Sequence, residues 1–258
     1  MRKIVVCYKW VIDENDIVVD HSGKINLREP SYKVSLYDRN AIEAAVQLAG
    51  QYSAECVALT AGDEKSEKSK KDVLCAGPEE GFAIIDESLN AADSLVTASL
   101  LAAGINRIGE ADIVFCGEGS GDVYAQQVGP RIAAMLGWPL VSYATSVEAN
   151  GDTLTIKRET AEGVEVLEAR YPLVVTVAGD SNIPRIPGIK DIMGAGKKPF
   201  TIWSPADLGE GLEEMMSGLR TTEVIGNMPD RKNIVIKGSS QEAAYEVVKA
   251  LISEGVLG

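Results

Sequence analysis

Asp112-Ile113-Val114-Phe115-Cys116, followed by Gly117-Glu118-Gly119-Ser120-Gly121-Asp122, reads as a buried strand that runs into a glycine-rich loop. A helical pattern follows over about Ala125–Leu136. Strand, glycine loop and helix in that order suit an anion. Glycines let main-chain N–H groups approach closely, and the first helical turn has N–H groups without partners. Ser120 adds a hydroxyl donor. The spacing is neither G-x-G-x-x-G nor G-x-x-x-x-G-K-[ST], so the loop reads either as a phosphate cradle or as a tight turn. Asp122 is placed either to cap the helix or to hold a ribose hydroxyl.

The same alternation recurs on both sides of this segment. Upstream lie a strand at Ile4–Tyr8 and a helix at Asp38–Leu48, with Ala41, Ile42, Ala45, Val46 and Leu48 on one face. A strand at Glu55–Thr60 ends at Ala61-Gly62. A polar helix over about Glu64–Cys75, a strand at Phe82–Ile85 and a helix at Ala91–Ile108 come next. Downstream, Leu140–Thr145 reads as a strand, Thr153–Arg158 and Val164–Ala169 as a hairpin, and Leu173–Val177 as an apolar strand suited to a sheet centre. Strands separated by helical segments mean βαβ units, an α/β fold and a mostly parallel sheet. Ligands of such sheets bind beyond the carboxyl ends of the strands. The loops after Tyr8, Thr60, Cys116 and Val177 are therefore the candidate site.

After Val177 the character changes. Ile183–Phe200 carries three prolines, three glycines and the pair Lys197-Lys198, and reads as an exposed loop. From Thr201 the periodicity is weak. Asn233–Lys237 has a strand pattern. Ser239-x-x-Glu242 is a capping box that opens a helix with Ala244, Val247, Val248 and Leu251 on one face. This tail is too small for its own core, so it is expected to pack on the main domain or on a partner.

Composition narrows the function. The 258 residues hold 25 Lys+Arg against 38 Asp+Glu, a net charge of −13. That balance disfavours nucleic acid and anionic membrane surfaces, both of which need excess cations. No apolar run reaches the ~20 residues of a membrane span, and the opening Lys3-Ile4-Val5-Val6-Cys7 is strand-like, not a leader. Cys7, Cys56, Cys75 and Cys116 show no C-x-x-C spacing, which suits a reducing cytoplasm. His21 is the only histidine, so mechanisms needing two are out. Asp13, Glu14 and Asp16 read as a solvated face, and no metal site is expected. No Ser, Cys or Lys has a base beside it in sequence. The chain therefore fits a cofactor carrier better than a side-chain catalyst.

Four segments resemble the β subunit of electron transfer flavoproteins. They are Val5-Val6-Cys7-Tyr8-Lys9, the helix start Ser35-Leu36-Tyr37-Asp38-Arg39-Asn40-Ala41-Ile42-Glu43-Ala44-Ala45, the loop Asp122-Val123-Tyr124-Ala125-Gln126-Gln127-Val128-Gly129-Pro130, and Pro184–Lys198. They lie in the family's order between Met1 and about Leu208, and the chain looks similar to the Fix-type branch that accompanies acyl-CoA or enoyl-CoA oxidoreductases. The resemblance implies a Rossmann-like sheet with helices on both faces, plus a C-terminal arm. Residues 1–200 would form the nucleotide-binding domain, with a partner-recognition loop at 183–199, and residues 201–258 an arm packing on an α subunit.

Carried over by position, the resemblance implies nucleotide contacts at Cys7, Tyr8, Lys9, Ser35, Leu36, Tyr37, Asp38 and Ala61. Further contacts would come from Gly117, Gly119, Ser120, Gly121, Asp122, Val123, Tyr124, Ala125, Gln126, Gln127, Val128, Gly129, Pro130 and Arg131. Gly188, Ile189, Lys190, Ile192 and Met193 would meet a dehydrogenase, with Ile189 as an apolar anchor. Two departures stand out: Ser35-Leu36 replaces the family's usual Asn-Pro, and Tyr124 stands where electron-bifurcating members carry a second Asp. The lost carboxylate lowers repulsion towards a pyrophosphate, and Tyr124 offers an aromatic ring for stacking. The implied cofactor is FAD, with AMP as the alternative. The implied partners are an α subunit and an acyl-CoA dehydrogenase or reductase, together with NADH and ferredoxin if the protein bifurcates electrons. No catalytic side chain is expected, and the isolated chain is expected to be inactive. A nucleotide-binding module without redox work stays open as a further reading.

Overall fold

Alternation along each central strand decides which side chain meets which layer. In β1 (Lys3–Cys7), Ile4 and Val6 enter one core while Val5 and Cys7 enter the other. The computed structural model describes residues 3–27, 29–209, 211–212, 218–219, 221–226 and 232–257. After β1 come β2 (Trp10–Ile12), β3 (Ile17–Val19), β4 (Ile25–Leu27), β5 (Tyr32–Val34), α1 (Leu36–Tyr52), β6 (Glu55–Gly62), α2 (Lys70–Cys75), β7 (Glu80–Ile85), α3 (Ser94–Ile108) and β8 (Ala111–Gly117). The chain continues with α4 (Val128–Leu136), β9 (Leu140–Asn150), β10 (Thr153–Thr160), β11 (Gly163–Ala169), β12 (Leu173–Val177), α5 (Ile189–Ala195), β13 (Phe200–Trp203) and α6 (Ser240–Ser253).

Nine strands form one sheet in the order β11-β10-β9-β12-β8-β1-β6-β7-β13. From β9 to β13 neighbouring strands run parallel, and the β10–β11 hairpin extends the sheet antiparallel. One core packs α1, with Ala41, Ile42, Ala45 and Leu48, on Ile113, Phe115, Leu173 and Val175. The other packs α3 and α4, with Leu101, Ile105 and Ile132, on Val57, Leu59, Val114 and Val174. The fold is thus the expected α/β, Rossmann-like arrangement.

Several local expectations need correction. The helix expected from Ala125 starts at Val128. Pro130 sits in its first turn, where its missing N–H is not needed; a start at Ala125 would have put that proline inside the helix. The polar helix splits into a 3-10 segment at Glu64–Ser69 and α2. The segment 183–199, expected as loop throughout, contains α5, capped by Asp191 Oδ2 accepting from the Gly188 N–H at 2.9 Å. Strand β13 was not foreseen. It pairs with β7, and the Phe200 ring occupies the space where a Cβ on Gly81 would lie 2.5 Å away.

The chain divides into two compact units, Met1–Val18 with Leu27–Val224, and Val19–Asn26 with Ile225–Gly258. In the smaller unit, Gly226 N–H donates to Gly23 O at 2.8 Å. Helix α6 opens with the expected capping box: Glu242 Oε2 accepts from Ser239 N–H at 2.9 Å, and Ser239 Oγ accepts from Glu242 N–H at 3.4 Å. Asn233–Lys237 is not a strand. Parts of the tail, 213–217 and 227–231, lie outside the described residues.

Candidate functional site

The strand order turns at β1: β6, β7 and β13 lie on one side, β8, β12 and β9 on the other. In sheets of this kind the crevice between carboxyl ends at such a reversal is where ligands sit. Here it lies between Lys9, which follows β1, and Gly117, which ends β8.

The first turn of α1 organises that crevice. Ser35-x-x-Asp38 has the spacing of a cap whose side chains serve their own helix. Neither does so here. Ser35 makes no side-chain cap, and its Oγ accepts instead from Gly121 N–H at 3.2 Å. Asp38 Oδ2 accepts from Lys9 N–H at 2.8 Å and Oδ1 from Gly117 N–H at 3.1 Å. Both residues are buried. Burial pushes the Asp38 carboxyl up to about 7, against the pull of the two amides, the Lys9 ammonium and the Ser35 hydroxyl. Gly117 is required by close approach, since a Cβ there would lie 2.6 Å from Asp38 Oδ1.

Lys9 Nζ pairs with Asp122 Oδ2 at 2.7 Å. Burial pushes the Asp122 carboxyl up, but the Lys9 ammonium and nearby donors outweigh it and hold the group below its usual range. Tyr124 takes a left-handed backbone, φ 50°. Its hydroxyl donates to Glu118 Oε1 at 2.8 Å, and its ring centroid lies 4.9 Å from that of Tyr37 with a 38° tilt. The Glu118 carboxylate, with burial, pushes the Tyr124 phenol up to about 12. Tyr124 therefore stacks within the chain, on Tyr37, and packs so close to Gly119 that a Cβ there would lie 2.5 Å from its ring. Glu118 was absent from the expected set. The only signal for it was its position between two glycines of the loop.

Backbone donors remain available. Among the described residues, the amides of Gly119, Ser120, Asp122, Val128 and Gly129 have no hydrogen-bond partner in the protein. A Cβ on Gly121 would have only Ser35 Oγ near it, at 3.9 Å, so the loop is open on that side. Neutral amides, a hydroxyl and one ammonium form a donor set that fits the phosphates of a nucleotide.

Several other expected residues direct their side chains into the core, to neighbouring side chains or to solvent. The Cys7 side chain is buried in the core beside Cys116, a residue read from the sequence as core, whose thiol is pushed well up by Cys7 and by burial. The Tyr8 ring is also buried, its hydroxyl 2.7 Å from Ser69 Oγ. Only the main chain of these residues reaches the rim. Gln127 accepts from Arg131 Nη2 at 3.1 Å and from Ser94 Oγ at 2.7 Å. Leu36 and Val123 are exposed, and Ala61 lies near the end of β6.

The loop after β12 is tied to α1. Asn40 Nδ2 donates to Asn182 O at 2.7 Å, and Arg185 Nε and Nη2 donate to the two Glu43 oxygens at 2.7 and 3.0 Å. Beyond this clamp Ile186, Ile189 and Met193 are exposed, Ile189 at 78%.

A family model described as the electron transfer flavoprotein domain matches residues 23–208. The chain belongs to this family. The matched span runs through α1, the glycine loop and the Arg185–Met193 segment, and ends with the turn that follows β13. Strand β1, which ends at Cys7, and the Tyr8-Lys9 that follow it precede the matched span. Family membership assigns the chain to flavin-linked electron transfer. Among the described residues, no helix is long and apolar enough to cross a membrane, and no group of His, Cys, Asp and Glu could hold a metal ion.

Proposed function

We propose that this chain is the β subunit of a heterodimeric electron transfer flavoprotein, and that its rim holds the adenosine diphosphate end of FAD. The observation that carries this reading is the set of unpartnered amides at Gly119, Ser120, Asp122, Val128 and Gly129, at the switch point of a parallel sheet. A chain with a net charge of −13 needs such neutral donors to bind a diphosphate. Lys9 supplies an ammonium, and Asp122, which pairs with it, offers a carboxylate acceptor for a ribose hydroxyl. When bound, the flavin supplies one- and two-electron chemistry that no side chain here offers. The protein binds it, orients it and keeps it at a subunit boundary.

On this reading α5 is the docking element for an acyl-CoA dehydrogenase-type partner, with Ile189 as its anchor and the Glu43–Arg185 pair holding the base of the loop. NADH as donor and ferredoxin as a second acceptor belong to the bifurcating version. A second reading, structural AMP in place of FAD, is favoured by Tyr124 lying on Tyr37 and Gly119, which draws the loop in on itself and suits a shorter ligand.

The test is the flavin content of the complex purified with its α subunit. Two flavins per heterodimer, bleached by NADH, support FAD in this chain. One flavin, with AMP released on denaturation, supports the second reading. A complex that releases no adenine nucleotide from this chain refutes both.

A further inference from the structure

Asp38 belongs to the set of residues expected to touch the nucleotide, yet it has no free oxygen to do so. Each carboxylate oxygen already accepts a main-chain N–H, one from Lys9 and one from Gly117, 29 and 79 residues away in sequence. The side chain is buried, and Gly117 leaves no room for a Cβ beside it. Ser35, one turn earlier, reaches Gly121 N–H and also takes Lys9 through its own N–H, which donates to Lys9 O at 3.0 Å. One turn of α1 therefore grips both loops that flank the crevice. The helix gives up its own side-chain cap to do this.

We propose that Asp38 is a positioning residue, not a nucleotide contact: its carboxylate fixes the separation of Lys9 from the glycine loop, so that the ammonium and the free amides meet one phosphate group. This rests on the nucleotide reading of the rim. The ionised carboxylate accepts both amides more strongly than the neutral acid does, which is why both bonds pull the Asp38 carboxyl down. In the neutral acid one oxygen becomes a donor and a poorer acceptor, so the hold on one loop weakens. The charged and titratable groups around it are Lys9 after β1, Asp122 across from Lys9, Cys7 on β1, Cys116 on β8 and Tyr37 on α1. Burial brings the Asp38 carboxyl close to neutrality, so the grip loosens as pH falls below about 7.

The experiment compares the full chain with D38N and S35A, titrating AMP and FAD between about pH 6 and pH 8 and following exchange of the Lys9, Gly117 and Gly121 amides. The carboxamide of D38N keeps the shape but places an N–H₂ where an acceptor is needed. The ratio of wild-type to D38N affinity cancels any titration of the ligand itself. That ratio is expected to be about tenfold or more at the upper pH, the loss that follows removal of a charge-assisted hydrogen bond, and to shrink towards one at the lower. S35A should weaken binding at every pH and keep the wild-type pH profile. A ratio near one, or a constant ratio, overturns the proposal. If the wild type binds neither nucleotide, the functional reading fails, and amide exchange still decides the role of Asp38. Protection lost in D38N at Lys9 and Gly117 alone supports the grip, and unchanged protection overturns it. If D38N does not fold, D38S, which has no amide donor to misplace, is measured in its stead against the same outcomes.

Discussion

Gly129→Ala tests how tightly α4 is seated against the sheet, and so how firmly its free amides are aimed. A Cβ at this position would lie 2.5 Å from Thr176 Cγ2, with Cys116 Cβ at 3.5 Å behind it. Carbon atoms in contact settle about 3.5–4.0 Å apart, so about 1 Å must be found. Thr176 cannot swing away freely, because its Oγ1 accepts from Tyr143 N–H at 3.1 Å and the side chain is buried. Overpacking of this kind costs about 1–3 kcal/mol, or roughly 2–12 °C in Tm for a chain of this size. Alanine also gains up to about 1 kcal/mol of helix propensity over glycine, which blurs the single variant. A double-mutant cycle with Thr176→Ser removes that ambiguity, since the propensity gain is common to both backgrounds. Serine deletes Cγ2 and keeps the hydroxyl. Denaturant unfolding of the four proteins should show the double variant at least about 1 kcal/mol more stable than the two single effects predict. Additivity within about 0.5 kcal/mol would refute the claimed contact.

Other outcomes follow from the same geometry. Arg185→Ala strands the buried Glu43 carboxylate; with Arg185 partly exposed, the loss at neutral pH should be about 1–3 kcal/mol by chemical denaturation. Burial pushes Glu43 up, but Arg185 and Gln47 outweigh it and hold it below its ordinary value of 4.5. Its contribution is thus present above that value and lost as pH falls through the lower folded one, an acid limb that Arg185→Ala should flatten. Gly121→Val should leave Tm within about 1 kcal/mol equivalent, because only Ser35 Oγ is near, and should abolish nucleotide retention on gel filtration. Retained nucleotide would show that the loop is not the cradle. Ile189→Ala should weaken electron delivery to the dehydrogenase partner while sparing NADH oxidation by an artificial acceptor, with stability changed by no more than about 0.5 kcal/mol. Equal loss in both assays would argue against docking.

The sheet was legible because its central strands are short apolar runs between helical periods, and alternation assigns Ile4 and Val5 to opposite cores without further information. Elements whose existence depends on distant partners were not. Phe200–Trp203 becomes a strand because β7 offers an open edge and Gly81 a hollow for the Phe200 ring. Asn233–Lys237 has the pattern of a strand and is not one. Helix α5 is too short to nucleate alone. It is held by the Asp191 cap, and the chain just beyond it is anchored by Lys198 Nζ, which donates to Leu74 O and Pro78 O at 2.7 Å. The same limit applied at the rim. The glycine loop announces itself, but Ser35 and Asp38 enter the candidate site only through the resemblance, and as nucleotide contacts. Nothing local says that a cap will serve another loop, or that Glu118 will hold Tyr124.

The rim also carries costly features. Tyr124, Gln126 and Tyr143 all take left-handed backbones, at φ 50°, 58° and 58°, a conformation that costs about 1 kcal/mol or more for a residue with a Cβ. Tyr143 lies where the β9–β12 register slips. Asp38 adds a buried acid. Its carboxyl, raised by burial from 3.8 to about 7, binds a proton more tightly in the folded state than in the unfolded one. Its contribution to stability is therefore complete below the unfolded value and is lost as pH rises through the folded one, at up to about 1.4 kcal/mol per pH unit. Nucleotide affinity should move the other way through the same window, because ionisation is what lets Asp38 hold both loops. Unfolding free energies of wild type and D38N between about pH 5 and pH 8 isolate the effect, since His21 and the remaining carboxylates are common to both. The wild type should lose stability relative to D38N as pH rises while gaining affinity relative to it. If neither stability nor affinity relative to D38N changes over this range, Asp38 titrates as an ordinary surface acid, ionised throughout it, and the protonation of the grip on Lys9 and Gly117 does not set the rim.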